Sequence, residues 1–295
     1  MTTSRRRTLD AMIAVTGASG GIGGRVARSL AEQGLPLRLI VRDAARAPRL
    51  GAEVAVAEYR DGAAMRAALE GAETVYLVSA AESADRAAEH RSAVDAAAAT
   101  GVGRIVYVSF MGAAPGAVFT FARDHAATEE RIRSTGLAHV FLRSCMYAEY
   151  VPVFASPEGV IRGPAGEGRA AFVARDDAAD VAAAVLAAPD GHDGRTYDVT
   201  GPDALTLDEA AAILSEVAGR EVVYERETLE EARASRRPSG APDWEIEGWV
   251  TSYAALGAGD LEPPSDTVQR ILGRPPRPLA DVLREHPESW AHLRR

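Results

Sequence analysis

The sequence predicts an α/β protein built on a doubly wound parallel sheet, with a smaller C-terminal domain. Three observations carry this. Over residues 1–145 short apolar runs alternate strictly with helical stretches. The runs are uninterrupted, as suits parallel strands covered by helices on both faces. The first of them, "AMIAV", leads straight into "TGASGGIGG" at residues 16–24, where Gly17, Gly20 and Gly23 recur every third position ahead of a helix.

In chain order, strands are expected at 12–16 (MIAVT), 37–41 (LRLIV), 53–57 (EVAVA), 74–79 (TVYLVS), 104–109 (RIVYVS) and 137–142 (LAHVFL). Helices are expected between them at 21–33, 62–70, 84–100 and 118–134. Four helices run into a glycine ("EQGLP", "LEGAE", "ATGVG", "STGLA"), the residue that takes a left-handed C-cap without strain. Strict alternation implies right-handed βαβ crossovers. After residue 145 the rhythm breaks. "PVFASPEGVIRGPAGEGRAAF" is loop-rich, 177–188 reads as helix, and "RTYDVTGP" as one more strand. From 201 onward the chain reads as helices and turns and holds all three tryptophans; its polar stretch 235–245 is Pro/Gly-rich, as mobile segments are. The expected division is 1–145 with 176–200 as a nucleotide-binding domain, and 146–175 with 201–295 as a substrate-binding domain.

Composition excludes several chemistries. A formal charge of −9 argues against nucleic acid, whose backbone selects basic surfaces. No apolar run is long enough to span a bilayer, and the arginines of "MTTSRRRTLD" have no apolar stretch behind them, which reads as a ragged start and a cytoplasmic protein. Cys145 is the only cysteine, so an internal disulfide and a thiolate metal cluster are out. All 33 basic residues are arginine. Without lysine the glycine loop cannot be a P-loop, and Schiff-base chemistry is impossible.

Strand, glycines and helix in this order form the context of a dinucleotide site. Gly17 permits the tight turn, Gly20 lets backbone N–H groups approach a pyrophosphate, and Gly23 allows close helix–strand packing; Ser19, Gly21 and Ile22 complete the loop. The second strand ends in Arg42, which suits a ribose 2′-phosphate and so NADPH. Asp61, after the third strand, is either an acceptor for the adenine amino group or a helix N-cap.

With these residues the chain resembles the atypical short-chain dehydrogenase/reductases of the NmrA-like group, and among them the NAD(P)H:quinone oxidoreductases. The resemblance runs through "TGASGGIG", "LIVRD", "EYRD", "EHRSAVDAAAATGVGRIVYVSF", "DHAATEERIRSTGLAHVFLR", "VARDDAADVAA" and "ILGRPPRPLADVLREH". It implies a Rossmann domain with a small substrate domain, and an NADPH-dependent reductase of a quinone or polycyclic aromatic, polyketide-type ketone, acting as monomer or homodimer. The alternative it implies is a non-catalytic NADP(H)-binding redox sensor.

Better-known branches of that superfamily use a Tyr-x-x-x-Lys pair. Here the corresponding helix offers His125 and Glu129, one turn apart. His125 is either a proton donor oriented by Glu129 or a structural helix-face histidine; a third ligand for a metal is lacking. Quinone reduction leaves a phenolate, whose conjugate acid resembles tyrosine with a pKa of about 10, so water can protonate it. Ser109, in the place of the superfamily's catalytic serine, is expected to polarise a carbonyl. Ser79 with the adjoining Ala80, and Ser144 at the sixth strand's end, are expected on the cofactor; Phe110, Met111 and Tyr147 on the acceptor. Cys145 reads as packed and His90 as structural. Trp244 and Trp249 form either a lid over a flat substrate or the small core of that segment.

Overall fold

The protein is described from a computed structural model covering residues 11–294; the opening "MTTSRRRTLD" lies outside the described residues. In chain order the first elements are β1 (Ile13–Thr16), α1 (Gly21–Glu32), β2 (Leu37–Val41), β3 (Glu53–Val56), α2 (Gly62–Leu69), β4 (Thr74–Leu77), α3 (Arg86–Ala99), β5 (Arg104–Phe110), α4 (Thr120–Ser134) and β6 (Ala138–Ser144). After β7 (Val160–Gly163), β8 (Arg169–Ala170), α5 (Arg175–Ala187) and β9 (Thr196–Val199), the chain continues through β10 (Leu205–Thr206), α6 (Leu207–Ala218) and β11 (Val223–Arg226). It closes with α7 (Leu229–Arg236), α8 (Asp243–Gly257), α9 (Thr267–Leu272) and α10 (Leu279–Glu285). No helix among the described residues is long and apolar enough to cross a membrane.

The main sheet has seven strands in the order β3-β2-β1-β4-β5-β6-β9. β1 pairs in parallel with both β2 and β4, β2 with β3, and β4 with β5. The strand order reverses at β1, so a crevice opens between the carboxyl ends of β1 and β4, the switch point at which such sheets bind ligands. The central strands are buried throughout, and Leu69, Met65, Tyr107, Ile132 and Phe141 fill one core cluster against them. Each such side chain contributes about 1.5–3 kcal/mol by leaving water. All four helix-ending glycines take positive φ, 73° to 77°. β3 departs from expectation: its sequence reads as covered, yet Val54 is 46% and Val56 56% exposed. It is the sheet's edge, with a neighbour on one side only.

The chain divides into two compact units. The first comprises residues up to Ser109 with Asp124–Arg143 and Ala178–Tyr197; the second comprises Phe110–Arg123, Ser144–Asp177 and the chain from Asp198. Residues 110–123, expected with the nucleotide-binding part, therefore belong to the second unit.

That second unit holds structure that the sequence does not announce. β7 pairs in parallel with β11, and β8 antiparallel with β10. Strands of two to four residues within loop-like text carry too little periodicity to be read. The Tyr224 hydroxyl locks one of these sheets, donating to the Gly163 carbonyl at 2.6 Å and accepting from the Ala165 amide at 3.0 Å. Capping boxes start α6 (Thr206 with Glu209) and α7 (Thr228 with Glu231). The stretch 235–245, expected as a mobile segment, is largely ordered as the end of α7, a short 3-10 turn and the start of α8.

Asp177, fully buried, ties the "GRPPRP" segment down. It accepts from the Arg277 amide at 2.7 Å, from Arg274 at 2.8 Å and from the Arg277 guanidinium. Replacing it with alanine strands two partly exposed guanidiniums around an empty site. Asp177→Ala is expected to cost about 2–4 kcal/mol of stability, measured by urea unfolding.

Candidate functional site

The first unit contains a cavity of about 360 Å³ at the carboxyl ends of β1 to β4. Gly17, Ser19 and Gly20 line it from the turn after β1, Val41 and Arg42 from the end of β2, Glu58–Arg60 from beyond β3, and Val78–Ser83 from beyond β4. The turn depends on missing side chains. Gly17 has φ +60°, and its carbonyl accepts the Gly20 amide at 2.8 Å. Gly21, Ile22 and Gly23 form the first turn of α1. A Cβ on Gly23 would lie 2.5 Å from the Gly17 oxygen and 2.8 Å from that of Thr16. α1 begins without a side-chain cap and without an acid in its first turn. Its free N–H groups and positive dipole end are thus left for an anion.

Arg42 is exposed at the cavity wall and has no ion-pair partner among the described residues. Arg60, on the same wall, is shared between Glu58 at 3.3 Å and Glu89 at 3.5 Å. Tyr59 anchors this strand end: its hydroxyl lies 2.5 Å from the Val78 carbonyl and from the Thr16 hydroxyl. Asp61 does not join them. Its carboxylate caps α2, accepting from the Ala63 and Ala64 amides at 3.1 and 2.9 Å, so of its two expected roles it takes the N-cap.

Beneath the β4 end lies a buried polar network. The Ala80 peptide is gripped on both sides: its N–H donates to His90 Nε2 at 2.8 Å, and its carbonyl accepts from Arg86 Nε at 3.1 Å. His90 Nδ1 meets the Thr128 hydroxyl at 2.8 Å, and that hydroxyl donates to the Asp124 carbonyl. The oxygen of Thr128 is then an acceptor, which puts the His90 proton on Nδ1. Burial, with the nearby Arg86 charge, pulls the His90 pKa down to about 3. His90 is thus structural as expected, and what it holds in place is a peptide on the cavity wall that includes Ser79 and Ala80.

His125 sits in the same network, buried, with Nε2 at 3.0 Å from Arg86 and Nδ1 at 2.8 Å from the Tyr107 hydroxyl. A guanidinium only donates, so Nε2 is an acceptor and the ring is neutral. Burial and then the charges of Arg86, His90 and Arg143 hold its pKa well below the ordinary range. A neutral imidazole keeps one proton, here on Nδ1 facing the Tyr107 hydroxyl, so of the two roles expected for His125 the arrangement favours the structural one.

Glu129, 1% exposed, takes other partners. It accepts the Ser109 hydroxyl proton at 2.6 Å, both Arg143 donors at 2.8 and 2.7 Å, and Arg133 at 3.0 Å. A serine hydroxyl has one proton. With that proton directed at Glu129, the Ser109 hydroxyl offers a carbonyl no donor in this arrangement.

In the second unit, the Met111 amide donates to the Ser144 carbonyl at 3.0 Å, and the Ser144 hydroxyl bonds that of Tyr147. Cys145 is buried with its thiol pushed up to about 12, a packed residue as expected. Phe110, Phe119, Phe121 and Trp244 form a run of edge-to-face rings with centroids 5.1, 5.5 and 6.3 Å apart. Trp249 turns elsewhere, packing with Ala232, Ile246 and Val250 in a small core. Of the two roles left open, Trp249 thus takes that of the segment's small core. One residue that sequence reasoning passes over is Arg175, whose guanidinium stacks on Tyr147 and Tyr150; only its place within "VARDD" marks it.

Against known proteins, the NmrA-like family matches residues 10–237. Quinone oxidoreductase 2 of Escherichia coli is 34% identical over 96% of this chain and 98% of its own length. NAD(P)H azoreductase of Xenophilus azovorans is 33% identical, covering 95% and 99%. A crystal structure of the NADPH-dependent quinone oxidoreductase of Escherichia coli complexed with NADPH superposes with a TM-score of 0.84 at 33% identity, over 93% of this chain and 99% of that one.

Two outcomes are expected. Gly23→Ala forces the turn open, so NADPH affinity falls by about tenfold or more in a fluorescence titration. Acid should destabilise the fold early. An unfolded histidine binds a proton near 6.5 but folded His90 only near 3, so stability present above pH 6.5 is lost as pH falls toward 3. The loss reaches roughly 2 kcal/mol at about pH 5. In urea melts, His90→Gln, whose amide oxygen can still accept from Ala80, should flatten that dependence.

Proposed function

The chain belongs to the NmrA-like family, and we propose that it is an NADPH-dependent reductase whose acceptor is a quinone or a related conjugated aromatic ketone. The observation that carries the reading is Arg42, a cation with no ion-pair partner among the described residues, on the wall of a glycine-turn cavity whose neighbouring helix end is uncapped. That combination suits the 2′-phosphate and pyrophosphate of one dinucleotide.

NADPH, when bound, supplies a hydride. The rest is the work of this chain's residues. The Gly17–Gly20 turn and the start of α1 offer backbone donors to the pyrophosphate, with Gly23 letting the helix come close enough. Arg42 receives the 2′-phosphate. Arg86 and His90 hold the Ala80 peptide from below, so that wall is set before any ligand arrives, which lowers the ordering cost of binding.

Acid catalysis by the protein is weakly provided for: His125 is neutral and engaged, and Ser109 has given its proton to Glu129. This favours acceptors that do not need a tuned acid. Reduction of a quinone leaves a phenolate of pKa about 10, which solvent protonates; a simple ketone would leave a far more basic alkoxide. The rings of Phe110 and Trp244, and Tyr147 with its raised pKa of about 12, are the acceptor contacts this reading uses.

The test follows loss of the reduced-nicotinamide absorbance with simple quinones and with simple aliphatic ketones, using NADPH and NADH in parallel. Turnover of quinones and not of aliphatic ketones, with NADPH preferred, is the expected result. Arg42→Ala should cut the NADPH-over-NADH preference by about tenfold or more, chiefly through KM for NADPH. Tight NADPH binding with no turnover of any acceptor would favour the non-catalytic sensor.

A further inference from the structure

Arg175 opens α5 and is half-buried. Its guanidinium lies over the faces of two tyrosines, 5.2 Å from the ring centre of Tyr147 and 5.4 Å from that of Tyr150. The two rings are 6.2 Å apart and inclined by 30°. The surrounding acids are already engaged. Glu149 turns both carboxylate oxygens onto the Arg175 amide, at 3.0 and 3.2 Å. Asp177 holds Arg274 and Arg277, and Asp176 faces His286 at 3.8 Å. Among the described residues the Arg175 guanidinium has no carboxylate partner. Most half-buried arginines here, such as Arg143, Arg233 and Arg236, meet a carboxylate; this one does not.

Contact with ring faces takes up none of the guanidinium's N–H donors, the fork that matches an oxyanion. Tyr150 is 45% exposed, leaving aromatic surface beside the cation. A cation set beside two aromatic faces suits one ligand class: a flat apolar molecule bearing an anionic group.

We propose that Arg175, steadied by Tyr147 and Tyr150, anchors a carboxylate, sulfonate or phosphate on the aromatic acceptor, so that the preferred substrates are anionic conjugated aromatics. This rests on the reductase reading and adds a charge preference to it. Arg175 is a specificity residue; it gives or takes no proton.

The experiment compares 1,4-naphthoquinone with 1,4-naphthoquinone-2-sulfonate at saturating NADPH, in wild type, Arg175→Met and Arg175→Lys. The sulfonate should have the lower KM in wild type. In Arg175→Met the ratio of kcat/KM, sulfonate over neutral quinone, should fall by about tenfold, the scale of one charge-assisted contact. Arg175→Lys should recover part of it, since the charge returns without the planar fork. A thermal melt and an NADPH titration establish that each variant is folded. Equal losses on both quinones would make Arg175 structural and overturn the proposal, as would an unchanged ratio. If neither quinone is turned over, the reductase reading fails. The anchor is then decided separately by titrating the sulfonate against wild type and Arg175→Met by calorimetry: weaker binding to the variant upholds it, equal binding ends it.

Discussion

The close approach of α1 to β1 at Gly23 is the constraint on which the cavity depends. A single added carbon there would meet two backbone oxygens inside van der Waals contact. Because it is absent, the helix can start directly beneath the first strand, and its uncapped end faces the space that the strand reversal opens. The positive φ of Gly17 and the Gly20 amide bond to it are the other parts of one turn. Remove any one and the backbone donors no longer converge.

A second dependence runs through the Ala80 peptide. Both its polar groups are satisfied from below by side chains of α3, and those are held in turn by α4 and β5. Buried groups of this kind are costly when half-satisfied and rigid when fully satisfied. The network therefore turns a loop into a fixed wall. It also absorbs His125, while Glu129 is held by Ser109 and two arginines, so both residues brace the structure.

That bracing bears on the proposed substrates. A site without a free acid discriminates by the basicity of the product it leaves behind, and quinones and related conjugated acceptors are the undemanding case. What the second unit offers is aromatic surface, in the rings from Phe110 to Trp244, and one cation over aromatic faces at Arg175.

By itself the sequence determined whatever is encoded in neighbouring residues: the central strands, the helices of the first half with their terminal glycines, the turn after β1, and Arg42 at the end of β2. These rest on local periodicity and on backbone conformations that single residues permit. Tertiary structure alone decided the partners. Ser109 meets Glu129 across 20 positions and His125 meets Arg86 across 39, so nothing in "HAATE" reveals that its His and Glu face different neighbours. The edge position of β3, the pairing of β7 with β11, and the separate fates of Trp244 and Trp249 were hidden for the same reason. A hydrogen bond or a buried face depends on what the chain brings back from afar, and a short strand or a lone polar side chain carries no local trace of it.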